Sequence, residues 1–280
     1  MTTKAMTTDG LSPVLTREQI DFYHREGYLA LEAITTTEEV EWLREIYDRL
    51  FASRAGRDEG MQFDLAGTDE EGKEAALPQI LNPAKYAPEL RDGQFRRNAL
   101  FVARQLLGEE ATPMGEHAIF KPARIGAATP WHQDEAYWNP AMTYNSMSIW
   151  IPLQPATLEN GCMQFVPRSQ TLEILPHHSI NHDPRIHGLE VEGADISSAV
   201  ACPLPPGGAT IHNNRTLHYT GANRSEIPRR AYILGFGIAA VPRADERRFL
   251  WNDIKQTPRD QREKTAAERE RMARDQEATK

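Results

Sequence analysis

Cysteine is scarce in this sequence. Cys162 and Cys202 are the two present among 280 residues, too few for a disulfide framework and in keeping with a reducing cytoplasm. Cys162 has no basic neighbour in sequence and reads as a small buried apolar residue. Long apolar runs are also missing: no stretch reaches the roughly 18 residues a transmembrane helix requires. The opening MTTKAMTTDGLSP has one lysine and no apolar core, so it reads as a frayed lead-in rather than a signal peptide. The final ATK shows no sorting signal. Positive charge is in deficit, 32 Lys and Arg against 40 Asp and Glu, for a net charge of -8. That balance argues against a phosphate-binding surface and hence against nucleic acid. RADERR and RDQREK carry nearly as many acids as bases and read as solvated helix faces. No internal repeat or low-complexity tract appears.

What is present divides into three zones. Residues 1–112 read as mostly helical. LTREQIDFYHREG has an N-cap signal at Thr16, apolar Ile20, Phe22 and Tyr23, and a stop at Gly27. YLALEAI follows as a short strand. TTEEVEWLREIYDRLFASRAG sets Val40, Leu43, Ile46, Tyr47 and Leu50 at helical spacing and closes at Gly56. DEGMQFDLAGTDEEGKEAALPQ is polar and reads as a long loop or lid. FRRNALFVARQLLG is a further amphipathic helix.

Residues 113–242 change character. HAIFKP, SMSIWIPL, CMQFVP, GATIHN and RAYILGFGIAAV are short apolar runs rich in β-branched or aromatic residues, separated by Pro, Gly and Asn. They point to an all-β sandwich or barrel rather than βαβ units. The insert LEILPHHSINHDPRIHGLEVEGAD lacks a strand pattern, so His177, His178, His182 and His187 read as residues of a loop crossing the barrel mouth rather than as a second metal site. Residues 243–280 read as a charged helical tail. The whole is expected to be a single domain spanning 1–280.

PWHQDEAYW carries the chemistry. In extended backbone His132 and Asp134 project to one side and Gln133 to the other. Two such ligands, with a histidine from a later strand, would form the facial triad of non-haem Fe(II) oxygenases. The spacing alone means little. His24-Arg25-Glu26 has it too, but on a predicted helix, where positions i and i+2 diverge. The third ligand is sought in GGATIHNNRTLHYTGANRSEIPRRAYILGFG, which offers His212 and His218. NNR, lying between them, suggests a turn. Arg229 stands eleven residues beyond His218 and seventeen beyond His212, beside Arg230. Alternation sends one of the two arginines inward. A guanidinium fork suits a carboxylate, and 2-oxoglutarate would balance both the metal site and the arginine in charge.

WHQDEAYW, SIWIPL, LENGCMQFVPRSQ and LHYTGANRSEIPR occur in this order, and together they resemble the phytanoyl-CoA dioxygenase family over about residues 113–240. REQIDFYHREGYLAL fits more loosely. The resemblance implies a double-stranded β-helix, a jelly-roll and cupin-like core, mainly β with flanking helices. It also implies an Fe(II)/2-oxoglutarate-dependent oxygenase that uses O2. His132, Asp134 and His218 match its iron ligands, and Arg229 matches the arginine for the distal 2-oxoglutarate carboxylate. Thr220 matches a hydroxyl that helps hold that carboxylate, and Trp150 a tryptophan beside the cosubstrate. Gln133, His117 and Gln79 fall at further cosubstrate-pocket positions. The family's Pro-Gly-Ser-His turn is here Pro167-Arg168-Ser169-Gln170.

The expected reaction is oxidation of a C–H bond in a small organic substrate, with release of succinate and CO2. A carboxylate at Asp134 favours hydroxylation, desaturation or cyclisation over halogenation. Tyr137, Trp138 and Tyr144 could line the substrate pocket or pack a strand edge. Residues 57–84 and 173–195 would cover the site. Two alternatives stay open: a cupin-like metal enzyme that does not use 2-oxoglutarate, and a non-catalytic jelly-roll binding protein. Neither nucleic acid nor membrane is expected as a partner.

Overall fold

The computed structural model describes residues 13–278; the lead-in before Pro13 and the last two residues of the ATK end lie outside the described residues. Helix α1 (Arg17–Glu26) opens on a capping box in which the Thr16 side chain accepts from the Gln19 N–H and the Gln19 side chain accepts from the Thr16 N–H. It ends at Gly27, whose φ of 83° is the left-handed conformation that glycine adopts without strain. Strand β1 (Tyr28–Leu31) follows, then α2 (Thr37–Ala52), which buries the five apolar residues picked out by its spacing. α2 stops at Ser53, before Gly56, which instead introduces a single 3-10 turn at Arg57–Glu59.

The polar segment expected to be a loop contains two strands, β2 (Gln62–Asp64) and β3 (Pro78–Leu81). Part of its polarity is used internally. The buried Asp64 carboxylate accepts from the backbone N–H groups of Ala66, Ala76 and Leu77 at 2.9–3.1 Å. An acid that caps its own connection looks solvent-facing by composition alone. Helix α3 (Gln94–Leu107) buries Phe95, Ala99, Val102, Ala103 and Leu106.

The remaining strands are β4 (Thr112–Lys121), β5 (Thr129–His132), β6 (Met142–Thr143), β7 (Ser146–Pro152), β8 (Met163–Phe165), β9 (His177–Ser179), β10 (Leu189–Val191), β11 (Val200–Cys202), β12 (Ala209–Asn213), β13 (His218–Thr220), β14 (Arg229–Gly237) and β15 (Val241–Pro242). Helices α4 (Leu250–Asp253) and α5 (Pro258–Ala278) end the described chain. A seven-stranded antiparallel sheet has the order β1-β12-β7-β14-β4-β3-β2, and a four-stranded sheet the order β11-β8-β13-β5. β9 pairs with β10, and β6 with β15. Two packed antiparallel sheets with helices against the larger one make a jelly roll.

Two segments therefore hold strands that their sequences did not announce. The N-terminal residues are more than helical, because β1 forms one edge of the large sheet and β2 and β3 build the other. The histidine-rich insert also contains a hairpin, β9 with β10, too short to leave an alternating pattern. In the charged tail, α4 and α5 take up residues 250–253 and 258–278.

Alternation along the central strands separates the two faces of the large sheet. Met147, Ile149 and Ile151 of β7 and Tyr232, Leu234 and Phe236 of β14 join α2 and α3 in one apolar core. Burying each such side chain is worth about 1.5–3 kcal/mol. Ser148 and Trp150, and Arg229 and Ile233, face the other way into a cavity between the sheets. No helix among the described residues is long and apolar enough to cross a membrane.

Candidate active site

β5 and β13 pair so that His132 and His218 stand directly opposite, with ring centroids 4.1 Å apart. β5 ends at His132. Gln133 is still extended (φ -117°, ψ 129°), and Asp134 opens a 3-10 turn over Asp134–Tyr137. One extended residue is enough to bring the carboxylate round. Asp134 Oδ1 lies 3.5 Å from His132 Nε2 and 3.4 Å from His218 Nε2. The candidate ligand atoms of all three residues lie within 4.8 Å of one another.

The hydrogen bonds around this group orient it. Nδ1 of His132 is 2.8 Å from the Pro130 carbonyl, and Nδ1 of His218 is 2.9 Å from the Thr216 carbonyl. Each ring therefore donates from Nδ1 and leaves the Nε2 lone pair facing Oδ1, the arrangement that fixes a metal-binding tautomer. Burial, followed by the nearby His218, lowers the His132 pKa and favours the neutral ring. Burial alone would raise the Asp134 carboxyl. Where the facing ring nitrogens carry protons, His218 first and then His132 and His212 overcome it and hold that carboxyl well below the usual range.

Oδ2 of Asp134 is held from behind. It accepts from Ser148 Oγ and Asn214 Nδ2, both at 2.8 Å, and lies 3.3 Å from His212 Nε2. His212, the alternative third histidine, thus meets the opposite oxygen from the one shared by His132 and His218. Sequence reading missed Ser148 and Asn214 as carboxylate holders: Ser148 opens the motif SIWIPL, in which Trp150 alone was singled out, and Asn214 lies in the NNR stretch read as a turn.

Alternation also resolves the adjacent arginines. Arg230 turns toward α2 and forks onto Asp48, Nε to Oδ1 at 2.6 Å and Nη2 to Oδ2 at 2.9 Å. Arg229 turns inward and is 1% exposed. Its guanidinium lies 5.4 Å from the Trp150 ring centroid, and its Nε and Nη1 have no hydrogen-bond partner. Burial pushes its pKa down to about 10. Lys121, opposite it in register, is also buried, but its ammonium donates to the carbonyls of Ala127, Gly221 and Thr220 at 2.7–3.2 Å. A buried guanidinium with idle N–H groups is costly unless an anion meets it.

Arg229 shares one cavity of about 790 Å³ with the His132, Asp134 and His218 group. Of the other expected positions, Thr220, Trp150, His117, Gln79, Tyr137 and Trp138 all line it. Thr220 Oγ1 donates to Thr129 Oγ1 at 3.0 Å, and buried His117 has an unpartnered Nδ1. Tyr137 meets the His132 ring edge-on at 6.1 Å, and its hydroxyl accepts from the Leu189 N–H at 2.7 Å.

Gln133 does not line the cavity. As the intervening residue of an extended turn it points away. Its Nε2 donates to the Arg215 carbonyl at 2.8 Å, and its Oε1 accepts from the Leu175 N–H at 2.9 Å. It pins backbone behind the site. The four insert histidines separate: His177 packs behind Gln133, His178 stacks on His182 with centroids 3.7 Å apart, and His187 alone faces the cavity. Among the described residues no second metal-holding group occurs.

The tail departs furthest from expectation. Arg247 of RADERR donates to buried Glu135 at 2.8 Å, and Arg259 of RDQREK lies over the Phe63 ring at 5.2 Å. Neither is a solvated surface residue. Asn252, Lys255, Arg259 and Asp260 all line the cavity mouth. The available signal was Phe249 and Trp251 inside an otherwise charged segment. Phe249 is buried, and Trp251 Nε1 donates to the Ala136 carbonyl at 2.9 Å.

The donor set fits Fe(II): two neutral imidazole nitrogens and one carboxylate oxygen around a point open to the cavity. The orphaned guanidinium of Arg229 fits a carboxylate of the cosubstrate. Residues 23–231 match the family described as phytanoyl-CoA dioxygenase (PhyH). The structure of EvdO2 from Micromonospora carbonacea var. aurantiaca, complexed with 2-oxoglutarate, is 38% identical with a TM-score of 0.74, covering 86% of this chain and 98% of that one. A probable alpha-ketoglutarate-dependent hypophosphite dioxygenase of Stutzerimonas stutzeri is 26% identical, over 79% of this chain and 78% of its own. The phytanoyl-CoA dioxygenase of Arabidopsis thaliana is 25% identical, over 80% and 89%. With this fold, donor set and set of relatives, the chain belongs to the phytanoyl-CoA dioxygenase family and is an Fe(II)/2-oxoglutarate-dependent oxygenase.

Proposed function

We propose that His132, Asp134 and His218 hold Fe(II), and that Arg229 with Thr220 grips the far carboxylate of 2-oxoglutarate. Trp150, His117 and Gln79 wall the cosubstrate. The observation that carries this reading is the buried, unpartnered Arg229 guanidinium in the same cavity as the histidine–aspartate group. With O2, the bound metal and cosubstrate supply oxidation of a substrate C–H bond as 2-oxoglutarate becomes succinate and CO2. The chain's own residues do the positioning. Ser148 and Asn214 steady Asp134, Trp150 and Arg229 orient the cosubstrate, and Tyr137 and Trp138 form a wall for a small organic substrate. Family membership favours this reading over an enzyme indifferent to 2-oxoglutarate and over a non-catalytic binder.

The chain reads as one oxygenase domain over 1–280 working in a reducing cytoplasm. Two buried free thiols and the acidic balance support that, and the same balance disfavours nucleic acid and anionic membrane as partners. The test is succinate formation with Arg229→Met. Removing one partner of a buried charge pair costs about 2–5 kcal/mol, so the 2-oxoglutarate KM should rise at least about 30-fold while Fe(II) affinity stays near wild type. An unchanged KM would overturn the assignment.

A further inference from the structure

Most charged groups lining the cavity have a partner of opposite sign. Glu116 meets Arg96 and the Tyr232 hydroxyl. Asp260 is held by Arg259 Nη1 at 3.0 Å, and Arg259 also reaches Glu263 at 3.3 Å. Asp134 belongs to the metal group. Two cations lack an anion. One is Arg229 at the floor. The other is Lys255 at the mouth, which has neither a hydrogen bond nor an ion pair to any described residue.

Lys255 reaches the cavity from the loop between α4 and α5. Its ammonium sits 4.7 Å from the centroid of the Tyr137 ring, and that ring meets His132 edge-on. A single aromatic ring thus separates this cation from the metal group. Cation–π contact stabilises an ammonium only modestly and leaves its N–H donors unused. His187 stacks on the same Tyr137 ring at 5.8 Å, and an imidazole, neutral or protonated, offers the ammonium no negative charge. With 2-oxoglutarate balancing the floor, Lys255 remains the cation with no directly paired anion among the described residues, and it lines the mouth of the same cavity.

We propose that Lys255 is a specificity-determining residue that binds an anionic group, a carboxylate or a phosphate-type oxyanion, on the substrate. The substrate class is then a small organic anion, held by its charge at the mouth so that a C–H bond beside that group lies toward the metal. This rests on the reading above, because 2-oxoglutarate must occupy Arg229 for Lys255 to remain the free cation. Burial pulls the Lys255 ammonium down to about 8 against the opposing pull of Asp260, and a bound anion would reverse that cost.

The test is calorimetric titration of the full chain, saturated with Fe(II) and 2-oxoglutarate without O2. The probes are inorganic phosphate in one arm and propionate in the other, at constant ionic strength. At least one should bind, which tells a phosphate-type from a carboxylate group. Lys255→Met should weaken that binding about tenfold or more, whereas Lys255→Arg should keep it. A separate 2-oxoglutarate titration of wild type, Lys255→Met and Arg229→Met separates the two readings. Lys255→Met should bind 2-oxoglutarate as wild type does, which also shows that it folds, and Arg229→Met should not. If neither probe binds, or if both bind Lys255→Met as tightly as wild type, the proposal fails whatever the Arg229 arm shows. Equal 2-oxoglutarate binding by wild type and Arg229→Met would instead overturn the floor assignment.

Discussion

At Asp134 the two carboxylate oxygens have different tasks. Oδ1 faces His132 and His218, while Oδ2 is occupied by Ser148, Asn214 and His212. Removing the whole group and removing one support should therefore differ in degree. Asp134→Ala is expected to abolish Fe(II) binding and 2-oxoglutarate turnover. Ser148→Ala should weaken Fe(II) binding about tenfold, the low end of the range for outer partners of metal ligands, because Asn214 still holds Oδ2. Equilibrium dialysis with Fe(II) measures both. Equal affinity in Ser148→Ala and wild type would show that the hydroxyl does not orient the carboxylate.

Among the elements, the C-terminal helix is tied to the core by charge more than by apolar packing. Asp69 is buried and meets both Arg57 of the turn after α2 and Arg262 of α5, and it accepts from the Asp64 N–H at 2.9 Å. Asp69→Ala would leave two partly buried guanidinium groups without their shared anion, at a cost of about 3–5 kcal/mol. The expected result is a lower Tm together with faster proteolytic cleavage of the segment 255–278. A lower Tm with unchanged cleavage of that segment would mean that α5 is held by other contacts. The ENGC turn between β7 and β8 illustrates the same scale. Gly161 has a φ of 86°, and a Cβ there would lie 2.2 Å from the Gly221 carbonyl oxygen, just beyond Thr220. A glycine is required because two backbones touch at that point.

Over the whole molecule, an apo site that leaves Arg229 unpaired and a carboxylate among imidazoles should gain stability from its ligands. Binding at about 100 times Kd contributes about 2.7 kcal/mol, so saturating Fe(II) and 2-oxoglutarate should raise Tm by about 5–10 °C for a domain of this size. A chelator should reverse it. Thermal unfolding followed by calorimetry provides the check, and no shift with either ligand would argue that the cavity is not their site.

Much of the site was legible in the sequence because its signals are local. The shared side of His132 and Asp134 and the helical spacing of α2 follow from backbone periodicities of two and 3.6 residues, and the N-cap at Thr16 from its residue type. The ordered motifs supplied His218, Thr220 and Arg229. Periodicity states that Arg229 and Arg230 oppose one another, but not which side is the interior. Packing of α2 against one face of β14 decides that, by offering Asp48 to Arg230 and leaving Arg229 to the cavity. The same holds for His212 against His218: His218 meets Asp134 Oδ1 opposite His132, whereas His212 meets Oδ2, and the turn that carries Asp134 decides which oxygen each receives. β2 and β3 escaped notice because Asp64 spends its charge inside the fold. Arg247 and Arg259 were misread because charge composition measures affinity for water, not what a distant segment places beside a side chain. Residue chemistry and local geometry were thus determined by the sequence alone. Which face became the interior, and which tail residues close over it, were decided by the tertiary structure, since those contacts join segments more than a hundred residues apart.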